Sequence, residues 1–442
     1  MSFTPPFPER PAARLGLLET LRRFRHSQIS VWYPGHFEAE FFATRLFARP
    51  LVVCNSPATV QAAFVQHAAA LERKSPQMRH ALEPLAGDGL IISDGLVWRE
   101  RRRLVAGVTH VSGLAGLAPV MTEAAAERAA AWRHRSGETL DVLAEMAQLA
   151  AEIICRTLFG RALGAAAAVE VTEAFSRYQS LVAQTDLPSL LGLPAWWPRP
   201  PRPRLRAQVR RIHTVVERLV AGARADPASL LGAMAASGGL SAEALRNEAV
   251  TLFLAGHETT ANVMAWAWYL LSQDPAAAAR LRAEARAALA GRAAGHADLA
   301  RLPFTRAVVE ETLRLYPPIP LLGREAQAAF SLAGHPVPQG ALVLVAPWLL
   351  HRHRKYWPQP DEFRPERFLP EAPPPPRHAF IPFSLGPRVC TGAGFAMAEA
   401  VICLATLAQE FTLALPPGAV VEPLCRLTLR PGETLPMHLA AA

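Results

Sequence analysis

Lysine is almost missing from this chain. Of 46 basic residues in 442, only Lys74 and Lys355 are lysines, so the formal net charge of +9 is carried by arginine. Arginine suits planar, two-point contacts with carboxylates and phosphates. Its copies are scattered, apart from short runs at Arg101–Arg103 and between Arg199 and Arg211. No RNA- or DNA-binding motif accompanies them, so a nucleic-acid partner is not expected. Cysteine is scarce as well. Cys54, Cys155, Cys390, Cys403 and Cys425 are odd in number and widely spaced, with no C-x-x-C among them. That excludes a disulfide framework and suits a reducing compartment.

Long apolar runs are also absent. The most apolar segment, Ala249 to Leu271, is interrupted by His257, Glu258 and Asn262, and nothing reaches the roughly twenty residues a membrane helix needs. The first residues, Met-Ser-Phe-Thr-Pro-Pro-Phe-Pro-Glu-Arg, lack a charged stretch followed by an apolar one. These observations predict a soluble, cytoplasmic monomer without a membrane anchor. Charged residues make up 19% and apolar ones 51%. Such a chain has ample apolar surface for a large core and is not disordered.

Against that background one stretch stands out: Phe383-Ser384-Leu385-Gly386-Pro387-Arg388-Val389-Cys390-Thr391-Gly392. A thiolate, not a thiol, ligates metal, so Cys390 needs surroundings that lower its pKa. Arg388 precedes it by two residues. An Ala-rich helical pattern, Ala393 to Leu407, follows it and brings unpaired N–H groups and a positive dipole end. Gly386 and Gly392 permit tight turns and close approach to a flat ligand.

Along the chain, residues 1–12 read as a Pro-rich extended lead. Leu15–Arg25 reads as a short amphipathic helix. Val31-Trp32-Tyr33 and Pro50–Cys54 look strand-like, and Ser56-Pro57 forms an N-cap and N1 pair opening a helix to about His67. Lys74–Asp94 reads as a long, partly irregular loop. Trp98 and Arg102 share one face of a helical segment. Residues 115–163 predict two helices parted near Ser136-Gly137, and 167–224 predict another pair. Between the latter lies Leu187–Pro203, rich in Pro and Trp, with the composition of a lid. Ser241 caps the longest helical pattern, which runs to about Gln273. It contains Ala255-Gly256-His257-Glu258-Thr259-Thr260, poor filler for an apolar helix, where Thr hydroxyls can bond preceding carbonyls. Glu311 and Arg314 lie three apart on a further helix. His351-x-His353 is a weak metal pair without further ligands. The strands from about Phe411 to Leu439 show no evident chemistry, and their tip, Pro431–Thr434, is placed to touch substrate.

The spacing F-x-x-G-x-R-x-C-x-G, followed by Ala396 and Glu399, resembles the cysteine-ligand loop of the cytochrome P-450 family. The segments W-x-x-x-R, A-G-x-[DE]-T-T, E-x-x-R and Pro365-Glu366-Arg367-Phe368 resemble that family's other motifs, in the family's order, from Trp98 to Glu399. The resemblance implies a single domain, mainly α with a smaller β region, around a haem b whose axial ligand is Cys390, the ligand class that favours O–O cleavage. It places Trp98, Arg102, Arg324 and Arg388 at the haem propionates, with Phe383 and Gly392 in the ligand loop. Ala255 and Gly256 would leave room for dioxygen. Thr259 would donate a hydrogen bond to it, and Glu258 would relay protons. Glu311, Arg314 and Arg367 would form a structural network. The activity implied is monooxygenation of a hydrophobic small molecule. The chain carries no flavin or iron–sulfur motif, so electrons come from a separate ferredoxin or flavodoxin-type donor, with Arg101, Arg103 and Arg388 suggesting a basic docking face. Two alternatives stay open: a haem-thiolate peroxygenase or isomerase needing no external electrons, and a non-catalytic haem-binding protein. Residues 75–95, 180–205 and 319–323 should contact substrate. They read only as hydrophobic, which fits a fatty acid, a terpenoid or a polyketide.

Overall fold

The computed structural model describes residues 3–442 except 14, 47, 110–112, 161–163, 183–187, 189–192, 194–196, 198–201, 225 and 227–228. Most of the lid-like segment Leu187–Pro203 therefore lies outside the described residues. The helices are α1 (Leu17–His26), α2 (Pro57–Gln61), α3 (Pro76–Ala86), α4 (Gly95–Val108), α5 (Leu114–Arg133), α6 (Val142–Phe159) and α7 (Gly164–Leu181). They continue with α8 (Pro203–Ala223), α9 (Leu230–Ala236), α10 (Ala242–Gln273), α11 (Pro275–Leu289), α12 (Pro303–Leu315), α13 (Pro347–Leu350) and α14 (Ala393–Ala408).

The strands are few and short. β1 (Phe41–Leu46), β2 (Arg49–Cys54), β7 (Leu342–Val345) and β4 (Leu322–Glu325) form one sheet in the order β1-β2-β7-β4, with only β2 and β7 parallel. β3 (Thr139–Asp141), β11 (Pro436–Ala441) and β8 (Phe411–Ala414) form a second. β5 (Phe330–Leu332) pairs with β6 (His335–Val337), and β9 (Pro423–Cys425) with β10 (Leu429–Pro431).

Helix α10 is the axis of the molecule. The Ser241 hydroxyl accepts from the Ala244 N–H at 3.1 Å and starts it. Asp274 stops it and in turn caps α11 by accepting from the Ala277 N–H. At 1.5 Å per residue it is roughly 48 Å long. Its second half is buried from Ala261 to Leu271 and mostly apolar, Asn262 being the main exception, as expected of a helix surrounded by protein. It packs against α6, α8, α12 and α14.

Two readings of the sequence are corrected here. Val31-Trp32-Tyr33 is not a strand but the end of a turn leading into a 3₁₀ segment, Pro34–Phe37. Within Lys74–Asp94 the chain is helical over α3. Ser75 caps it, accepting from the Met78 N–H, and Pro76 takes the first position, the same device as at Ser56-Pro57. Pro84 sits inside this helix near its C-terminus, where only the last turn is affected.

Behind the cysteine loop lies a buried ionic network. Glu311 and Arg314 are fully buried and meet at two points, 2.6 and 2.7 Å. Arg314 also donates to the carbonyls of His351, Pro360 and Glu362. Arg367 Nε lies 3.4 Å from Glu311. With nearly every donor used, the desolvation of these charges is offset, and the segment 351–364 is fixed against α12. His351 and His353 are not a metal pair. The His351 Nε2 accepts from the Ile381 N–H at 2.9 Å, and His353 Nδ1 accepts from Lys355 N–H. Burial, chiefly, pushes His351 down to about 3 and keeps it neutral. Among the described residues no group of three potential metal-binding side chains occurs.

Candidate active site

The cysteine loop is built by backbone geometry. Ser384 and Gly386 both take positive φ, 66° and 73°. A Cβ on Gly386 would lie 2.0 Å from the Phe64 carbonyl oxygen, so only glycine fits the close approach to the segment after α2. The Cys390 N–H then donates to the Phe383 carbonyl at 2.9 Å, closing the loop. Gly392 caps α14. Cys390 is exposed, although protein atoms crowd around it. That crowding raises its pKa. The Gly392 N–H, then Arg102 and Lys74, pull the other way.

Arg388 is thus not the cation that acts on the sulfur. It turns away, stacks 4.2 Å over the Trp98 ring and donates to the Ser93 carbonyl at 2.7 Å. Arg102 takes the position the sequence suggested for Arg388. Its Nη1 donates to the Val389 carbonyl at 2.5 Å, one residue from the sulfur.

Three cations converge beside the loop: Lys74, Arg324 and Arg388. Arg324 is 2% exposed, and among the described residues its side chain donates to the adjacent Gly323 carbonyl alone, at 3.2 Å. Desolvation first, then repulsion from Arg388, brings it down to about 9. Arg388 falls to about 10 for want of solvation. Lys74, joined to Arg324 by a β-bridge, is pushed well down by burial and then by Arg324 and Arg388. Among the described residues neither Lys74 nor Arg324 has a salt-bridge partner, and Arg388 Nε and Nη1 are buried without a hydrogen bond. Such a cluster is a preformed site for an anionic ligand. It borders a cleft of about 420 Å³ lined by Phe64, Trp98, Arg324, Leu385, Pro387 and Arg388. Lys74 was missed in the sequence, although one of two lysines in an Arg-rich chain is itself a signal.

On α10 the oxygen-motif residues separate onto two faces. Ala255 is exposed. The missing Cβ of Gly256 points instead at Ile154 of α6, 2.8 Å away. Gly256 therefore serves helix packing, and the space expected of the Ala-Gly pair belongs to Ala255 alone. The Thr259 hydroxyl donates to the Ala255 carbonyl at 2.5 Å. Its proton is spent on the helix, so the group it presents outward in this pose is an acceptor rather than the expected donor. The helix stays regular there. Glu258 is half-buried and accepts from Thr428 at 2.6 Å. His257 faces inward, stacked on Phe253, and burial holds it neutral at about 4.

Two further expectations are corrected. Arg101 is buried, 3.0 Å from Asp88 and 3.4 Å from Glu248, and the half-buried Arg388 turns its guanidinium to Trp98 and Ser93, so neither offers its charge to a docking partner. Of the arginines on α4, Arg99 and Arg103 are the exposed ones. The turn at Pro431–Thr434 points its Glu433 to Arg426 and Arg430. The apolar side of this hairpin is Leu427, which, like Leu252 and Leu254 of α10, is partly buried against the core that includes Val250 and Phe253.

A fold family with this cysteine loop implies a haem, and the residues fit one. Cys390 offers an accessible sulfur, and the orphaned guanidinium nitrogens of Arg388, with Arg324 and Lys74, match two carboxylates. A family model described as Cytochrome P450 matches residues 5–435. Cyclooctatin synthase of Streptomyces melanosporofaciens is 32% identical over 415 residues, covering 90% of this chain and 88% of its own. Pentalenene oxygenase of Streptomyces avermitilis is 30% identical over 368 residues, 81% of each chain. A solved structure of a zebra fish cytochrome P450 with progesterone superposes with a TM-score of 0.79. It is 23% identical and covers 91% of this chain and 96% of that one. At that identity the likeness speaks for the fold.

Proposed function

Because the chain belongs to the cytochrome P450 family, as a monooxygenase, we propose that it hydroxylates or otherwise oxygenates a hydrocarbon of the terpene kind, with Cys390 as the residue that would hold the haem iron. The balance is that of its class. Dioxygen, two electrons and two protons give one oxygen atom to substrate carbon and one to water. The observation that carries the proposal is the trio Lys74, Arg324 and Arg388. Three cations pressed together, with donors left unpaired, have no purpose in the protein's own packing and suit the two propionates of a haem b.

The bound haem supplies dioxygen activation and atom transfer. Cys390 would hold the iron as a thiolate, the form in which a cysteine ligates metal. Arg102 holds the Val389 carbonyl and places a positive charge beside the sulfur. Trp98 supports Arg388. Phe383 and Gly392 fix the loop. Ala255 leaves room beside α10, Thr259 orients small polar groups there, and Glu258 hands protons inward. The apolar side chains Leu252, Leu254 and Leu427 would exclude water from the substrate. The terpene assignment rests on the names of cyclooctatin synthase and pentalenene oxygenase. The whole chain acts as one domain around one haem, in the cytoplasm and as a monomer. Its five cysteines are free, as a reducing compartment requires.

A separate ferredoxin or flavodoxin-type donor supplies the electrons. Arg99 and Arg103, four apart and exposed on α4 next to the cysteine loop, are the residues to meet its acidic surface. Titration of the haem protein with pentalenene tests the substrate class. A low-to-high spin shift, with an oxygenated product on addition of a ferredoxin and its reductase, supports it. A shift with dodecanoic acid and none with terpene hydrocarbons overturns it.

A further inference from the structure

Thr428 lies in the turn between β9 and β10, far from the family-like motifs, and bonds Glu258. Its Oγ1 is 2.6 Å from Glu258 Oε1 and 3.1 Å from Asn262 Nδ2. Thr428 is 7% exposed and Asn262 2%. Glu258 and Asn262 stand four apart on α10, so both reach the same turn.

The donor assignment follows from valence. An ionised carboxylate only accepts, so the single Thr428 proton goes to Glu258. Thr428 then has only lone pairs for its second neighbour, and Asn262 must present its NH₂. The chain of bonds runs one way, from Asn262 through Thr428 to Glu258. A hydroxyl polarised from behind is a stronger donor to a carboxylate than one alone. The turn is itself anchored. Arg426 N–H donates to the Thr428 carbonyl, and Leu429 N–H donates to the Pro318 carbonyl.

We propose that Thr428, backed by Asn262, is a positioning residue that fixes Glu258 in the pose from which it delivers protons. The inference rests on the monooxygenase reading above. Glu258 adjoins Thr259, so a carboxylate free to swing outward would leave the proton path broken. Electrons would then leave as hydrogen peroxide instead of appearing in product. Thr428 touches neither haem nor oxygen and acts only through Glu258.

Four variants test this: Thr428→Val, Thr428→Ser, Glu258→Ala and the double variant. With pentalenene as probe, and a ferredoxin with its reductase, Thr428→Val should raise the peroxide formed per reductant consumed by about ten-fold, less than the roughly 10²–10⁴-fold a proton-transfer group itself contributes, because Glu258 is still present. Thr428→Ser should restore the wild-type ratio. The double variant should match Glu258→Ala alone, and the dissociation constant of the probe, read from the spin shift, should not move. The tie is also read without haem, from thermal midpoints. Thr428→Val should lower the midpoint more in the wild type than in the Glu258→Ala background, where only the bond from Asn262 is lost. An unchanged peroxide ratio in Thr428→Val, or a weaker probe affinity with no change in that ratio, overturns the proposal. A wild type that reduces no dioxygen with any donor fails the monooxygenase reading instead, and the midpoint cycle then decides the tie by itself. Equal midpoint losses in both backgrounds overturn it.

Discussion

Arg388 lies 4.2 Å above the Trp98 ring while its Nη2 holds the Ser93 carbonyl at 2.7 Å. Helix α4 and the cysteine loop are clamped by this contact, yet two guanidinium nitrogens stay buried and unpaired. The charge therefore costs stability until an anion arrives. Replacing it with methionine keeps volume and removes repulsion toward Arg324 and Lys74. Arg388→Met should leave the thermal midpoint of the haem-free protein unchanged or higher. It should speed haem loss by about ten-fold or more, the weight of one charge-assisted hydrogen bond. Haem transfer to apomyoglobin reads the rate.

The buried pair behind the loop behaves in the opposite way. Glu311→Ala leaves Arg314 charged, fully buried and short of its two-point partner. Removing one member of such a pair should cost about 3–5 kcal/mol. Denaturant unfolding of the two proteins gives the difference, and Arg367→Ala, at a longer 3.4 Å contact, should cost less.

Glu248 gives a pH signature. Burial pushes its carboxyl from 4.5 up to about 7, against the pull of Arg101 and the Leu90 N–H. The native state keeps this proton between those values, where the unfolded chain has lost it. Its contribution to stability is full below pH 4.5 and is lost as pH rises through 7. Relative to Glu248→Gln, which cannot ionise, the wild type should lose about 3 kcal/mol between pH 4.5 and 8. Urea midpoints at the two pH values read it.

Docking of the electron donor is tested on α4. Reversing charge at Arg99 and Arg103 together should lower the rate of reduction by an acidic ferredoxin, most strongly at low salt, because steering fades within a Debye length of about 8–10 Å at physiological salt. Stopped-flow reduction at two ionic strengths separates this from a change in the haem itself.

The parts of this architecture that were legible in the sequence share a cause. Ser241 and Asp274 mark the ends of α10 by cap chemistry that is local. Glu311 and Arg314 meet through a three-residue helical spacing. The Cys390 loop shows its turns in Gly386 and Pro387. What stayed hidden depends on side-chain direction or on residues distant in the chain. That Arg102, and not Arg388, is the arginine that reaches the Val389 carbonyl beside the sulfur follows from the loop turning Arg388 toward Trp98. Gly256 faces Ile154 and not the open side of α10, which no spacing reveals. Thr428 reaches Glu258 across 170 residues, and Lys74 meets Arg324 across a β-bridge. The helix α3 was legible but overlooked, since Ser75-Pro76 repeats the Ser56-Pro57 signal.

The central claim is that Cys390 ligates haem iron as a thiolate. The absorption spectrum of the dithionite-reduced protein under carbon monoxide, for wild type and Cys390→Ala, tests it directly. The account predicts a strongly red-shifted Soret band in the wild type that is lost in the variant. A wild type without that band, or a band unchanged in Cys390→Ala, would contradict it.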